Sequence, residues 1–82
     1  MMDGLRVLTV QNFGDTEAEN GRVTLAPMAI KMVASFDDTK QGRSLKRLHV
    51  LFLEGDNVEL YVSEMDALTI EQAIGTYGFE MV

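Results

Sequence analysis

The sequence predicts an α+β domain: a small antiparallel β-meander of about four strands with one C-terminal helix packed on one face. Three observations carry that prediction. From Leu5 to Val62 the apolar residues alternate with polar ones or form short runs, and the runs are bounded by Gly, Asn and Asp. The period changes after Ser63, where Ile70, Ala73, Ile74 and Tyr77 fall at the spacing of one helical stripe. No internal repeat, linker or low-complexity segment interrupts the 82 residues, so residues 1–82 are read as a single domain.

The elements follow in order. "LRVLTVQ", Leu5 to Gln11, is β-branched and apolar and reads as a first strand. "NFGDTEAENG", Asn12 to Gly21, has the composition of a surface loop, the segment expected to be most mobile, with Phe13 as an anchor to the core. Arg22 to Phe36 has strand character interrupted at Pro27, which lacks the N–H of a central ladder and implies an edge, a bulge or a break. Beyond it, simple alternation assigns Met28, Ile30, Met32, Ala34 and Phe36 to the core face.

"DDTKQGRS", Asp37 to Ser44, reads as a loop, and "LHVLFLEGDNVELYV", Leu48 to Val62, as a hairpin. A two-residue connection at Gly55-Asp56 sets Leu53 opposite Val58 and turns His49 inward, with Leu48, Val50 and Phe52 on the other face beside Glu59, Tyr61 and Ser63. A three-residue loop instead groups Phe52 with Leu60 and Val50 with Val62, and composition does not choose between the two. In the helix, "TIEQ" has the form of a capping box from Thr69 to Gln72 with Leu68 as a staple on Ala73. Ser63 with Asp66 offers an earlier start near Glu64, Gly78 a left-handed stop, and "FEMV" an extended tail.

Composition bounds the function. A domain this small buries only about 60% of its unfolded surface, so association with a second chain would add needed stability. The absence of cysteine removes disulfides, thiolate metal sites and a Cys nucleophile, and fits a reducing compartment. No secretory signal or apolar run of membrane-spanning length is visible, and the first Met is taken as a near-natural start; a soluble, cytoplasmic protein is expected. The net charge of −6 opposes nucleic acid and anionic membrane.

Several constellations carry a functional and a structural reading. Lys40, Arg43, Lys46 and Arg47 form the one basic concentration; they suit phosphates, with Gly42 allowing close approach and His49 or Tyr61 assisting, or they form a solvated hairpin that pairs with acids. His49, the single histidine, is expected as a packed core residue, and Ser35, Ser44 and Ser63 show no nucleophile-elbow spacing. Glu54, Asp56, Asn57 and Glu59 offer oxygen donors but without an EF-hand order, and Asp37-Asp38 point to opposite sides of a strand. Asp15, Glu17 and Glu19 suit a basic partner or the basic segment of a neighbouring subunit, or form a solvated loop. Met28, Met32 and Met65 are expected in the core.

Since one short helix covers part of one sheet face, the second face needs cover: the sheet curls into a small barrel, the N-terminal strands fold over it as a second layer so that the strand is buried within a monomer, or another subunit packs there. The reading is a non-catalytic interaction or oligomerisation domain, with Val50, Phe52 and Tyr61 on the contact face and Arg47 and Glu59 at its rim. It expects no cofactor and no metal, and as partner a second copy, in a homodimer or larger assembly, or another protein. The alternative is an anion or nucleic-acid binder using Lys40, Arg43, Lys46 and Arg47. A third reading, an enzyme, would need an active site assembled across subunits.

Overall fold

The computed structural model describes residues 7–76. It contains β1 (Leu8–Asn12), β2 (Gly21–Leu25), β3 (Ile30–Lys40), β4 (Arg43–Phe52), β5 (Asn57–Val62) and α1 (Glu64–Thr76), with single 3-10 turns at Glu17–Glu19 and Pro27–Ala29. β1 and β2 form an antiparallel pair, and β3-β4-β5 a three-stranded antiparallel meander with β4 in the middle. The α+β prediction holds, with the strands divided between two sheets and one helix packed on them. The expected C-terminal features at Tyr77, Gly78 and the "FEMV" tail lie outside the described residues.

Local chemistry accounts for each boundary. Pro27 opens a 3-10 turn, where its missing N–H costs nothing, and so breaks the long strand-like run. Gln41 and Gly42 both have positive φ, 55° and 71°, and connect Lys40 to Arg43 directly. That is a primed two-residue turn, whose twist matches the flanking strands. It lets β3 run on through Asp37–Lys40, so the loop expected over Asp37 to Ser44 shrinks to two residues.

The β4–β5 connection differs from both sequence-based registers. Leu48 pairs with Leu60, Val50 with Val58 and Leu51 with Asn57. Phe52 N–H donates to Asp56 O at 2.8 Å, leaving Leu53, Glu54 and Gly55 as a three-residue loop with Gly55 at φ 104°. The facing is that of the three-residue reading, with Val50 and Phe52 on the side of Leu60 and Val62, but the strands are slid relative to it.

A bulge decides what β3 buries. Ile30 pairs with Phe52 and Met32 with Leu51, so Lys31 is an extra residue in the ladder. Ile30 therefore points into the core, while Met32, Ala34 and Phe36 turn to the opposite side and Val33 packs inward. The assignment of Met28, Met32 and Phe36 to the core is corrected accordingly: they are 51%, 47% and 46% exposed. Met65, at 72%, is also exposed, on the outer side of the helix.

The core lies between the inner sheet face and α1. Leu48, Val50, Leu60, Val62 and Ile70 are its most completely buried large side chains, joined by Val10 and Leu25 from the β1–β2 pair. The helix begins where Ser63 Oγ accepts from Asp66 N–H at 3.1 Å. The later capping box is not formed, since Thr69 lies within the helix and its hydroxyl donates to Met65 O at 3.0 Å. Ala67, Ile70 and Ile74 form the buried stripe.

Candidate functional site

The meander has an inner face against α1 and an outer face bearing Met32, Ala34 and Phe36 from β3, Leu45, Arg47, His49 and Leu51 from β4, and Asn57, Glu59 and Tyr61 from β5. This division corrects the expected contact face. Val50 is 0% exposed and Phe52 is half-buried against the core. Both belong to the inner side because the register sets Leu48 opposite Leu60 and Val50 opposite Val58, which puts the even-numbered residues of β4 on the face that packs against α1. Tyr61, Arg47 and Glu59 do lie on the outer face.

At the centre of that face Arg47 meets four neighbours, one of them His49, whose Nε2 lies 3.4 Å from the Arg47 Nη1. The Arg47 Nε donates to Asp38 Oδ2 at 3.0 Å, its Nη1 lies 3.7 Å from Glu59 Oε2, and its guanidinium rests 4.7 Å above the Phe36 ring. His49 faces out rather than into the core, because the register places it across from Glu59 and Ala34. Its Nε2 lies 2.6 Å from Glu59 Oε2, and its ring meets Phe36 edge-on at 5.9 Å. Phe36 is thus held by a cation on one side and an imidazole on another while nearly half of it remains open to solvent.

One end of the outer face is covered by the Asn12–Asn20 segment. Phe13 N–H donates to Tyr61 O at 2.8 Å and Tyr61 N–H to Asn12 Oδ1 at 2.8 Å. The amide of Gln41 donates to Gly14 O at 2.8 Å and to Asn20 Oδ1 at 2.7 Å. Lys40 forms an ion pair with Asp15 and sits 4.3 Å over the Tyr61 ring, and Arg43 lies 5.2 Å over Phe13. The acidic loop therefore meets the basic segment of its own chain. A Cβ on Gly14 would lie 2.4 Å from Glu19 Cβ, so the loop's fold requires glycine there.

The four cations of the alternative reading do not share one face. By register Lys40, Arg43 and Arg47 are outer, whereas Lys46 is inner and pairs with Asp37 at an open cleft also lined by Ser44 and Glu64. Lys40 and Lys46 are both held above the ordinary lysine value, first through their hydrogen bonds to Asp15 and Asp37. Asp38 is held below the ordinary carboxylate value, first by Thr39 N–H and then by Arg47. Among the described residues, no group of three or more His, Cys, Asp or Glu side chains is placed to hold a metal ion. No helix among them is long and apolar enough to cross a membrane.

The outer apolar pair Met32 and Phe36 was missed by sequence reasoning. The residues carry no signal of it, because simple alternation already sets Lys31 on the solvent side and its charge fits an unbulged strand as well as the bulge. No family model, curated protein or solved structure matches the chain.

Proposed function

We propose that this domain is a non-catalytic interaction module that associates with its own kind through the outer face of the β3-β4-β5 meander. The contact would centre on Met32 and Phe36, with Arg47, His49 and Glu59 between them and the Tyr61 end. One observation carries the reading: large apolar side chains stand half-exposed beside an ordered, internally paired charge cluster, on a sheet whose other face is already covered. Aromatic and Arg side chains held in place before contact lose little entropy on binding. A cytoplasmic location belongs to the same reading.

The alternative, anion binding through Lys40, Arg43, Lys46 and Arg47, has less support, since three of these pair with acids and Arg43 lies over Phe13. The test is the solution mass by light scattering across a concentration series, for the native chain and Phe36→Asp. The expected result is a mass that rises toward a dimer and falls to the monomer in Phe36→Asp, with the fold intact by circular dichroism. A native chain that stays monomeric, or a dimer indifferent to Phe36→Asp, overturns the proposal.

A further inference from the structure

The two edges of the meander differ in how they end. On the β5 side, both backbone groups of Tyr61 are satisfied by Phe13 and Asn12. On the β3 side, the pairing of Lys40 with Arg43 across a two-residue turn fixes which groups are used. Residues 32, 34, 36, 38 and 40 exchange hydrogen bonds with β4, and the N–H and C=O groups of Val33, Ser35, Asp37 and Thr39 point to the outside. Thr39 N–H is taken by the Asp38 carboxylate at 2.7 Å. Among the described residues no backbone partner reaches Val33, Ser35 or Asp37.

Open strand edges pair with other strands unless something blocks them. Here the side chains along the edge are arranged symmetrically about Ala34. Met32 and Phe36 lie on either side of it on the outer face, and Lys31 and Asp37 lie beyond, with opposite charges. Among the described residues Lys31 has no ion-pair partner, and the Asp37 side chain is 88% exposed although it pairs with Lys46.

Resting on the interaction-module reading above, we infer that the occupant of this edge is the β3 strand of a second copy, paired antiparallel about a two-fold axis through Ala34. Val33 then exchanges hydrogen bonds with the second copy's Ser35, which uses the outward groups of both. Met32 lies opposite the second copy's Phe36, in the closer, non-hydrogen-bonded type of pair. Lys31 lies opposite Asp37, twice by symmetry. Sliding the register by two residues sets Val33 against Asp37, and sliding it further brings Asp37 onto itself, so the charges select one alignment. The product is a six-stranded sheet in which the two outer apolar patches become one.

The chain has no cysteine, which makes disulfide trapping a direct reading of register. The experiment is oxidation of Ala34→Cys and, separately, Ser35→Cys, with light scattering of the native chain and of Ser35→Pro. In the inferred register two copies of residue 34 face each other at about 4.5 Å between Cα atoms, within disulfide range, whereas two copies of residue 35 are beyond about 7 Å. Ala34→Cys is expected to yield a covalent dimer as the main product and Ser35→Cys little. Ser35→Pro removes an outward N–H that β4 does not use, and is expected to weaken the dimer by about tenfold or more with unchanged circular dichroism.

A native dimer in which Ala34→Cys fails to cross-link, or Ser35→Cys links better, overturns the edge pairing and leaves the outer-face reading standing. An undiminished dimer in Ser35→Pro overturns it likewise. A strictly monomeric native chain overturns both.

Discussion

His49 and Glu59 face each other across the β4–β5 ladder, with Nε2 and Oε2 2.6 Å apart, and Arg47 reaches the same carboxylate oxygen at 3.7 Å. The carboxylate thus ties together two residues of β4 that lie on the same side of the strand. Both ends of the His49–Glu59 pair are about half-exposed, so solvent screens them, and such a pair is worth less than about 1 kcal/mol. A double-mutant cycle of His49→Ala and Glu59→Ala, followed by urea unfolding, should return a coupling in that range. A larger value would mean that Arg47 and Phe36 act with them as one unit.

Leu48 is fully buried at the centre of the middle strand, and its truncation should be costly. Leu48→Ala is expected to destabilise by about 2–5 kcal/mol, enough to abolish much of a small domain's stability. Met65→Ala, at an exposed helix position, is expected to change the urea midpoint by less than about 0.5 kcal/mol equivalent.

Phe52 and Phe36 separate packing from association. Phe52 rests against the core, so Phe52→Asp buries a charge without a partner and should lower the unfolding midpoint sharply. Phe36→Asp leaves the core untouched and should alter solution mass rather than the monomer's unfolding curve. Thermal unfolding of both variants at low protein concentration makes the comparison.

Gly14 lies where any side chain would strike Glu19, both at its Cβ and at its carbonyl oxygen. Gly14→Ala should therefore cost about 1–3 kcal/mol and displace the loop that carries Asp15 toward Lys40. Amide chemical shifts of Phe13, Tyr61 and Gln41 would report the displacement. Unchanged shifts and stability would mean that the loop can be redrawn cheaply.

Stability should fall at both extremes of pH. Asp38 binds its proton less readily in the folded chain than the ordinary value of 3.8 implies, so its contribution is present above that value and lost as pH falls through the lower folded one. Lys40 and Lys46 are raised from 10.5, so theirs is complete below that value and lost as pH rises through the higher folded ones. Melting temperature against pH should show both flanks, and Asp38→Asn should flatten the acid flank alone.

Much of this architecture is readable from residue order, and what is not has identifiable causes. The existence of a hairpin between the apolar runs of β4 and β5, the break at Pro27 and a helix starting after Ser63 each follow from a local rule about turns, imino acids or caps. The face of β3 does not. A single inserted residue, Lys31, reverses the side of everything after it, and alternation alone cannot reveal where an insertion is absorbed. The same parity problem turned His49 outward and Val50 inward, and with them the composition of the candidate surface. Glu59 and Tyr61 kept their place because both the actual loop and the two-residue alternative put them on the side opposite the core, whereas Arg47 moves from the expected rim to the centre of the outer face.

The clasp of Asn12 and Phe13 on Tyr61 joins positions 49 residues apart, and Gln11 N–H reaches Asp66 across 55. The β3–β4 turn, by contrast, closes over two residues. Contacts between near neighbours in sequence form early and distant ones late, because the long loop must first be closed. The central hairpins are therefore predicted to assemble before the N-terminal pair arrives, and pulse-labelled hydrogen exchange should find β4 amides protected ahead of those of Phe13 and Tyr61. Until that last docking event the nascent sheet has two bare margins instead of one, and it is in this interval that the chain is most exposed to mispairing with its neighbours.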